Sequence, residues 1–347
     1  MDGEVLSEAY ERLHHAGPEF GGDDWLSNHG PMAVEVLVRR GYAAAVPRWV
    51  DTYVRRLDEP PPLRGRITDD TWREALGDIR RVSDWTAYFT GRLRERPWRD
   101  VLELWWPRLL PGIMAGATHG VIRVGHAVRT LLAGNDNVVA VAELGHGLAY
   151  WAARSQGVPG AVAPAGRLDA AAALRELPRI GDQSGSVGAR FAQFDGLSGW
   201  STSMAALRIP VDPRAELADL VRAATLQYLT HGHGGRVLLI HAATAPNAVL
   251  HTLPALPAEL WGASASAAWA ASAAITAAYA PTRPAHRAEL PAAPSDTGGL
   301  AAIIERAATH ADEHVIKFAD TAADVFERTG DTEALAAAVR ASELIAR

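Results

Sequence analysis

The chain has 347 residues, 48% of them hydrophobic, and a formal net charge of −6. That length suits one large domain or two small ones and the apolar content suffices for a sizeable core, while the acidic balance argues against a nucleic-acid partner, which needs a basic face. Cysteine is absent, which excludes disulfides, thiolate zinc sites, iron–sulfur clusters and cysteine nucleophiles.

The first 17 residues are charged and lack the apolar stretch of a signal peptide. Helical periodicity then dominates and predicts helices over residues 32–42, 70–79, 98–110, 115–132, 138–154, 213–229, 257–280 and 299–327. Pro31 suits a first helical position, and Asp69, Asp70 and Asn137 suit caps. The proline-rich run 59–63 reads as a surface loop. Residues 180–212 are glycine-dense and carry Phe191, Phe194 and Trp200, the pattern of a long loop that covers a pocket or packs on the surface. The apolar run 236–240 reads as a helix continuing to residue 250 rather than a short strand. Gly232, Gly234 and Gly235 before it do not form a dinucleotide fingerprint. Residues 261–280 are long enough to span a bilayer, but they are mostly Ala and Ser and read as a buried packing helix. Residues 281–298, rich in Pro and Ala, read as a linker or crossing loop. With no alternation of strands and helices, a dinucleotide-binding sheet is not expected. The expectation is an all-α protein, a single large helical domain over 1–347 with long pocket-covering loops, placed in the cytoplasm with no membrane partner.

Composition singles out one residue. The chain holds 33 arginines and one lysine, Lys317. An arginine stays protonated, whereas a buried lysine can react as its neutral amine. His314 and Lys317 are three residues apart, side by side on one helical face, in an apolar segment with Val315, Ile316 and Phe318. Two readings follow. Lys317 snorkels to water from an ordinary amphipathic helix, or it is buried and its neutral amine adds carbon dioxide to give an anionic oxygen ligand. His119 and His126 are seven residues apart, close to two turns, and share a face among small residues. Their Cα atoms are then about 10 Å apart along the axis, so they meet one metal only near full reach. The alternative is two core histidines bonded to carbonyls. His29 stands at a helix entrance. His241 follows four apolar residues and is either a satisfied core residue or a ligand in a dry pocket. Glu143 and His146 match the Glu-x-x-His spacing of di-iron carboxylate bundles, but those need a second copy that the chain lacks. There is no nucleophile elbow, zinc-protease helix or P-loop.

Together these segments resemble a known family. Residues 28–32 (NHGPM), 105–112 (WWPRLLPG), 118–123 (THGVIR) with 125–129 (GHAVR), 147–154 (GLAYWAAR), 240–246 (IHAATAP) and 314–317 (HVIK) resemble, in order, the questin oxidase family. The resemblance covers about residues 25 to 330. It implies oxidative ring opening of anthraquinones or related aromatic polyketides, of a kind described as Baeyer–Villiger oxidation. It also implies a mononuclear non-haem iron, Fe(2+), held by histidines and a carboxylated lysine. Mapped onto this sequence, the candidates are His29, His119, His126, His241, His314 and Lys317, one more than an open position for oxygen allows. Imidazole and anionic oxygen suit iron, and the missing thiolates disfavour softer metals. The expected partners are a small aromatic substrate and O2. With no dinucleotide fingerprint, an external electron donor, or dioxygenase chemistry needing none, fits best. Trp105, Trp106, Tyr150, Trp151 and Trp200 are candidates to line a flat pocket, although core packing accounts for most of them. Two other classes remain: a non-catalytic helical protein binding a small apolar molecule, and a metal-dependent hydrolase using a carboxylated lysine.

Overall fold

The computed structural model describes residues 2–17, 19, 27–293 and 297–346. Among them are seventeen α-helices and no β-strand, only isolated bridges, so the fold is all-α as the periodicity predicts. The chain divides into two compact units, Met1–Gly157 with His251–Leu260, and Val158–Leu250 with Trp261–Arg347.

The first unit holds α1 (Asp2–His14), α2 (Gly30–Arg39), α3 (Val46–Tyr53), α4 (Trp72–Ala75), α5 (Val82–Glu95), α6 (Trp98–Leu109), α7 (His119–Leu132) and α8 (Val138–Ala153). Its centre is α8, which packs against both α5 and α7 and is therefore apolar around most of its girth. The Asn137 side chain caps α8 by accepting from the backbone N–H groups of Val139 and Ala140 at 3.1 and 3.0 Å. Close approach of α7 to α8 depends on Gly120, where an added Cβ would lie 2.8 Å from Cα, Cβ and Cγ of Trp151. The Trp151 indole is itself fixed, donating to the Gly112 carbonyl at 3.0 Å.

Two predicted helices differ here. The one expected over 70–79 shrinks to the single turn of α4, because Gly77 takes a left-handed φ of 76° and breaks it. The helical periodicity resumes as α5, whose Trp85, Tyr88 and Phe89 bury in an aromatic cluster around Trp105. The helix expected from residue 115 starts at His119, because Gly116, Ala117 and Thr118 are all left-handed, with φ of 53°, 55° and 75°.

The second unit holds α9 (Ala170–Glu176), α10 (Val187–Phe191), α11 (Trp200–Ala205), α12 (Pro213–His231), α13 (Leu238–Thr252, whose last two residues group with the first unit), α14 (Trp261–Tyr279), α15 (Thr297–His310), α16 (Glu313–Thr329) and α17 (Thr332–Leu344). Here α12 packs against α9, α14, α16 and α17. The run 236–250 is helical, as α13 shows. The Ala- and Ser-rich α14 is buried along most of its length. Among the described residues no helix is long and apolar enough to cross a membrane. The helix expected over 299–327 is two helices. Ala311 turns left-handed at φ 67°, and the Asp312 carboxylate caps α16 by accepting from the His314 and Val315 N–H groups at 2.9 and 3.1 Å. Within 180–212 the chain forms α10 and α11, and Phe191, Phe194 and Trp200 are buried against one another.

The Gly120 contact generates a stability prediction. Its neighbours are backbone and inner side-chain atoms that cannot swing aside, so Gly120→Ala is expected to cost about 1–3 kcal/mol. A urea unfolding midpoint unchanged from the parent protein would contradict it.

Candidate metal centre

In the first unit α2 and α7 are joined by two polar rungs. The first is made by the residues that begin each helix. His29 precedes α2, His119 opens α7, and their Nε2 atoms lie 2.7 Å apart with the rings edge to face. Both are buried. On the far side of each ring, Nδ1 is bonded to an oxygen. His29 Nδ1 lies 2.7 Å from Glu19 Oε1, and His119 Nδ1 bonds the Gly116 carbonyl. A carbonyl only accepts, so His119 carries its proton on Nδ1, and the Glu19 carboxylate imposes the same tautomer on His29. Glu19 is held in turn by the Tyr53 hydroxyl at 2.6 Å and by Arg56 at 3.2 Å, and Tyr53 also accepts from the His29 backbone N–H.

Two neutral imidazoles so arranged point Nε2 lone pairs at each other, which repel unless a cation or a proton lies between them. An Nδ1–H given to a carboxylate or carbonyl, leaving the Nε2 lone pair for the metal, is the usual dress of a metal-ligating histidine. Two nitrogens each about 2.1 Å from one ion at a right angle stand about 3 Å apart, so the spacing fits neighbouring ligands of a single ion. The approach to His119 is strained to achieve this. Ala117 and Thr118 sit in left-handed conformations, each costing on the order of 1 kcal/mol. The Thr118 hydroxyl is fully buried and forms no hydrogen bond among the described residues.

His126 belongs to the second rung. Its Nδ1 lies 2.8 Å from Glu35 Oε2, and Arg129 grips the same carboxylate, with Nε on Oε1 at 2.9 Å and Nη2 on Oε2. Burial alone would push the Glu35 carboxyl up; Arg129 and His126 outweigh it and hold the group well below the usual range. His119 and His126 therefore share α7 but not a partner: one faces His29, the other Glu35.

The second unit carries the remaining candidates. His241 on α13 is buried, and its ring stacks on that of His314 at 5.6 Å. One turn along α16 from His314, Lys317 is 1% exposed, so the snorkelling alternative is excluded. Ligand atoms of Asp312, Glu313 and His314 lie within 4.8 Å of one another, a grouping able to hold a metal ion. A rung further on, Asn247 of α13 donates to Asp324 at 3.0 Å.

Glu143 and His146 form no di-iron motif. Glu143 is clamped by Arg123 through two hydrogen bonds of 2.6 and 2.8 Å, and His14 Nε2 lies 2.7 Å from it. Although burial raises its pKa, Arg123 and His14 hold it down at about 2. Residues with no local sequence signature complete the centre. Glu19 and Tyr53 contact His29 only through the tertiary fold, while Glu35, an acid inside the apolar run Met32–Leu37, is a legible anomaly.

A family model described as Questin oxidase-like matches residues 35–322. The match includes His119, His126, His241, His314 and Lys317, and His29 precedes it. No curated protein matches the chain.

The Glu143 clamp makes acid sensitivity predictable. Its folded pKa of about 2 lies below the ordinary 4.5, so its contribution is full above pH ~5 and is lost as pH falls towards 2. The shift corresponds to roughly 3 kcal/mol. Glu143→Gln strands the buried Arg123 charge and is expected to lose roughly 3–5 kcal/mol at pH 7 while flattening the decline below pH ~5. Parallel stability–pH curves for the two proteins would refute the assignment.

Proposed function

The chain belongs to the questin oxidase-like family, and from that premise we propose a non-haem iron-dependent oxygenase that opens a ring of a quinone-like aromatic polyketide or a similar planar molecule. The family description points to an oxidoreductase; the iron, its ligands and the ring opening are the finer parts of the proposal. The observation that carries it is the His29–His119 pair, both Nδ1 atoms tied to oxygen and both Nε2 atoms facing each other at 2.7 Å. Such a pair is costly to bury in a protein that binds no cation.

The first unit supplies His29 and His119 as ligands, oriented by Glu19, Tyr53 and the Gly116 carbonyl. The family resemblance adds His241, His314 and Lys317 as candidate ligands, the lysine as its carbamate. A lysine withdrawn from water can react as the neutral amine that carbon dioxide adds to. His126, tied to Glu35 and Arg129, is the residue assigned to stand back from the metal. Iron, when bound, supplies the oxygen-binding and redox capacity that no side chain of this chain has.

The residues around it fix tautomers and exclude water. Glu19 and the Gly116 carbonyl take the Nδ1 protons and leave Nε2 of each ring to a metal, and the burial of His29, His119, Glu19 and Tyr53 withdraws the first rung from water. Two stoichiometries separate the chemistry. Dioxygenation leaves both oxygen atoms of O2 in the product and needs no reductant. Baeyer–Villiger insertion leaves one, and the other goes to water with two electrons from an external donor. The lack of a dinucleotide fingerprint favours the first.

Metal analysis of the purified protein tests the reading. The expected result is about one iron per chain, lost in His119→Ala and Lys317→Ala, with Glu19→Gln weakening the metal by about 10–100-fold. Lys317→Arg is expected not to restore it, because arginine forms no carbamate under these conditions. Iron at background in the parent protein, or undiminished in both alanine variants, overturns the proposal.

A further inference from the structure

A cavity of about 140 Å³ lies in the first unit; neither His29 nor His119 lines it, and the proposed chemistry does not use it. Part of its lining is apolar, from Ala16, Pro60, Pro61, Ile79 and Val82. The rest is polar, and most of these groups are spent within the protein. Arg123 and His14 bond Glu143. The Asn28 amide donates to the Leu13 carbonyl and accepts from the Gly30 N–H. Ser83 and Thr86 donate to the carbonyls of Pro61 and Val82. The Tyr150 phenol lines the cavity too. His146 stands apart. Its ring stacks on His14 at 4.2 Å, nearly parallel, and among the described residues it makes no hydrogen bond.

From this lining we propose that the cavity binds a neutral, single-ring molecule bearing one hydroxyl, of the phenol class, whose O–H donates to the His146 imidazole. Size sets the ring: an apolar cavity of about 150 Å³ accommodates benzene. Charge balance sets neutrality. The Arg123–Glu143 pair is compensated internally, so an anion gains no available cation and meets the Glu143 carboxylate, while a cation meets Arg123. The hydroxyl is set by His146, whose imidazole makes no hydrogen bond among the described residues. The imidazole is suited to accept. Burial pushes the His146 pKa down to about 3, with the neighbouring His14, Arg123 and His15 adding to the effect and Glu143 opposing it. This site is independent of any metal and stands whether or not the chain binds iron.

Titration of the purified protein with phenol, toluene and benzoate, followed by ligand-observed NMR, tests it. Phenol is expected to bind up to about tenfold more tightly than toluene, the worth of one neutral hydrogen bond, and benzoate is expected to bind most weakly. His146→Phe keeps a ring in place but removes the acceptor, and should bring phenol to the level of toluene. Val82→Trp fills the cavity and should abolish binding of both; if it does not fold, Thr86→Trp from one turn along α5 serves the same purpose. Equal binding of phenol and toluene, tighter binding of benzoate, or phenol binding that survives the folded tryptophan variant would each overturn the proposal.

Discussion

The approach of α2 to α7 at their N-terminal ends is the constraint on which the first unit turns. It brings two imidazole nitrogens to 2.7 Å, a separation that two Nε2 lone pairs keep only with a proton or a cation between them. The tautomers that set this requirement are fixed from outside each ring, by a carboxylate behind His29 and a carbonyl behind His119. The carbonyl is available because three left-handed residues turn the chain just before α7. A helix begun at residue 115 would have committed the Gly116 carbonyl to its own ladder. The strained turn is thus the structural condition for the tautomer of His119, and its cost, on the order of 1 kcal/mol for each non-glycine residue, is small beside the ordering it provides.

The second unit uses a comparable arrangement. His241 and His314 meet near one end of α13 and α16, and about two turns further along α13 Asn247 reaches Thr321 and Asp324, about two and nearly three turns along α16. In the first unit the steps from His29 to Glu35 and from His119 to His126 have the same length, six and seven residues. Rungs met in the same order on both members mean that the paired helices run in the same direction. A histidine pair is backed in each unit by a polar rung roughly 10 Å away, so the pair cannot rotate without disturbing a buried hydrogen-bond network.

The sequence made much of this legible. The 3.6-residue period located α6, α8, α12 and α13, and the lone lysine among arginines proved to be a buried residue of α16. What escaped was local backbone conformation and long-range pairing. Ala117, Thr118 and Ala311 adopt left-handed φ without being glycine, and no propensity marks them. At Asp312 the capping signal was present but masked by apolar periodicity on both sides. Alpha-helix α5 lay hidden behind aromatic residues that favour strands in isolation, although Trp85 and Phe89 are spaced as one helical face. Glu19 acts on His29 through a tertiary contact ten residues away in sequence, and no spacing rule reports such a pair.

Helix α7 connects the features of the first unit. His119, Arg123, His126 and Thr130 recur every three or four residues, so they form one polar stripe through an apolar interior. A stripe of this kind survives burial only if every member is answered. Glu143 from α8 answers Arg123, Glu35 from α2 answers His126, and Tyr10 from α1 meets Thr130 at 3.4 Å. His119 is answered on one nitrogen by a carbonyl and on the other by His29. The phenol-sized cavity touches the same stripe at Arg123, one turn from His119. Tyr150, which lines that cavity, packs its hydroxyl so near Gly116 that a Cβ there would stand 2.3 Å from it. Tyr150 thus joins the lining of the cavity to the left-handed turn at Gly116 that precedes α7.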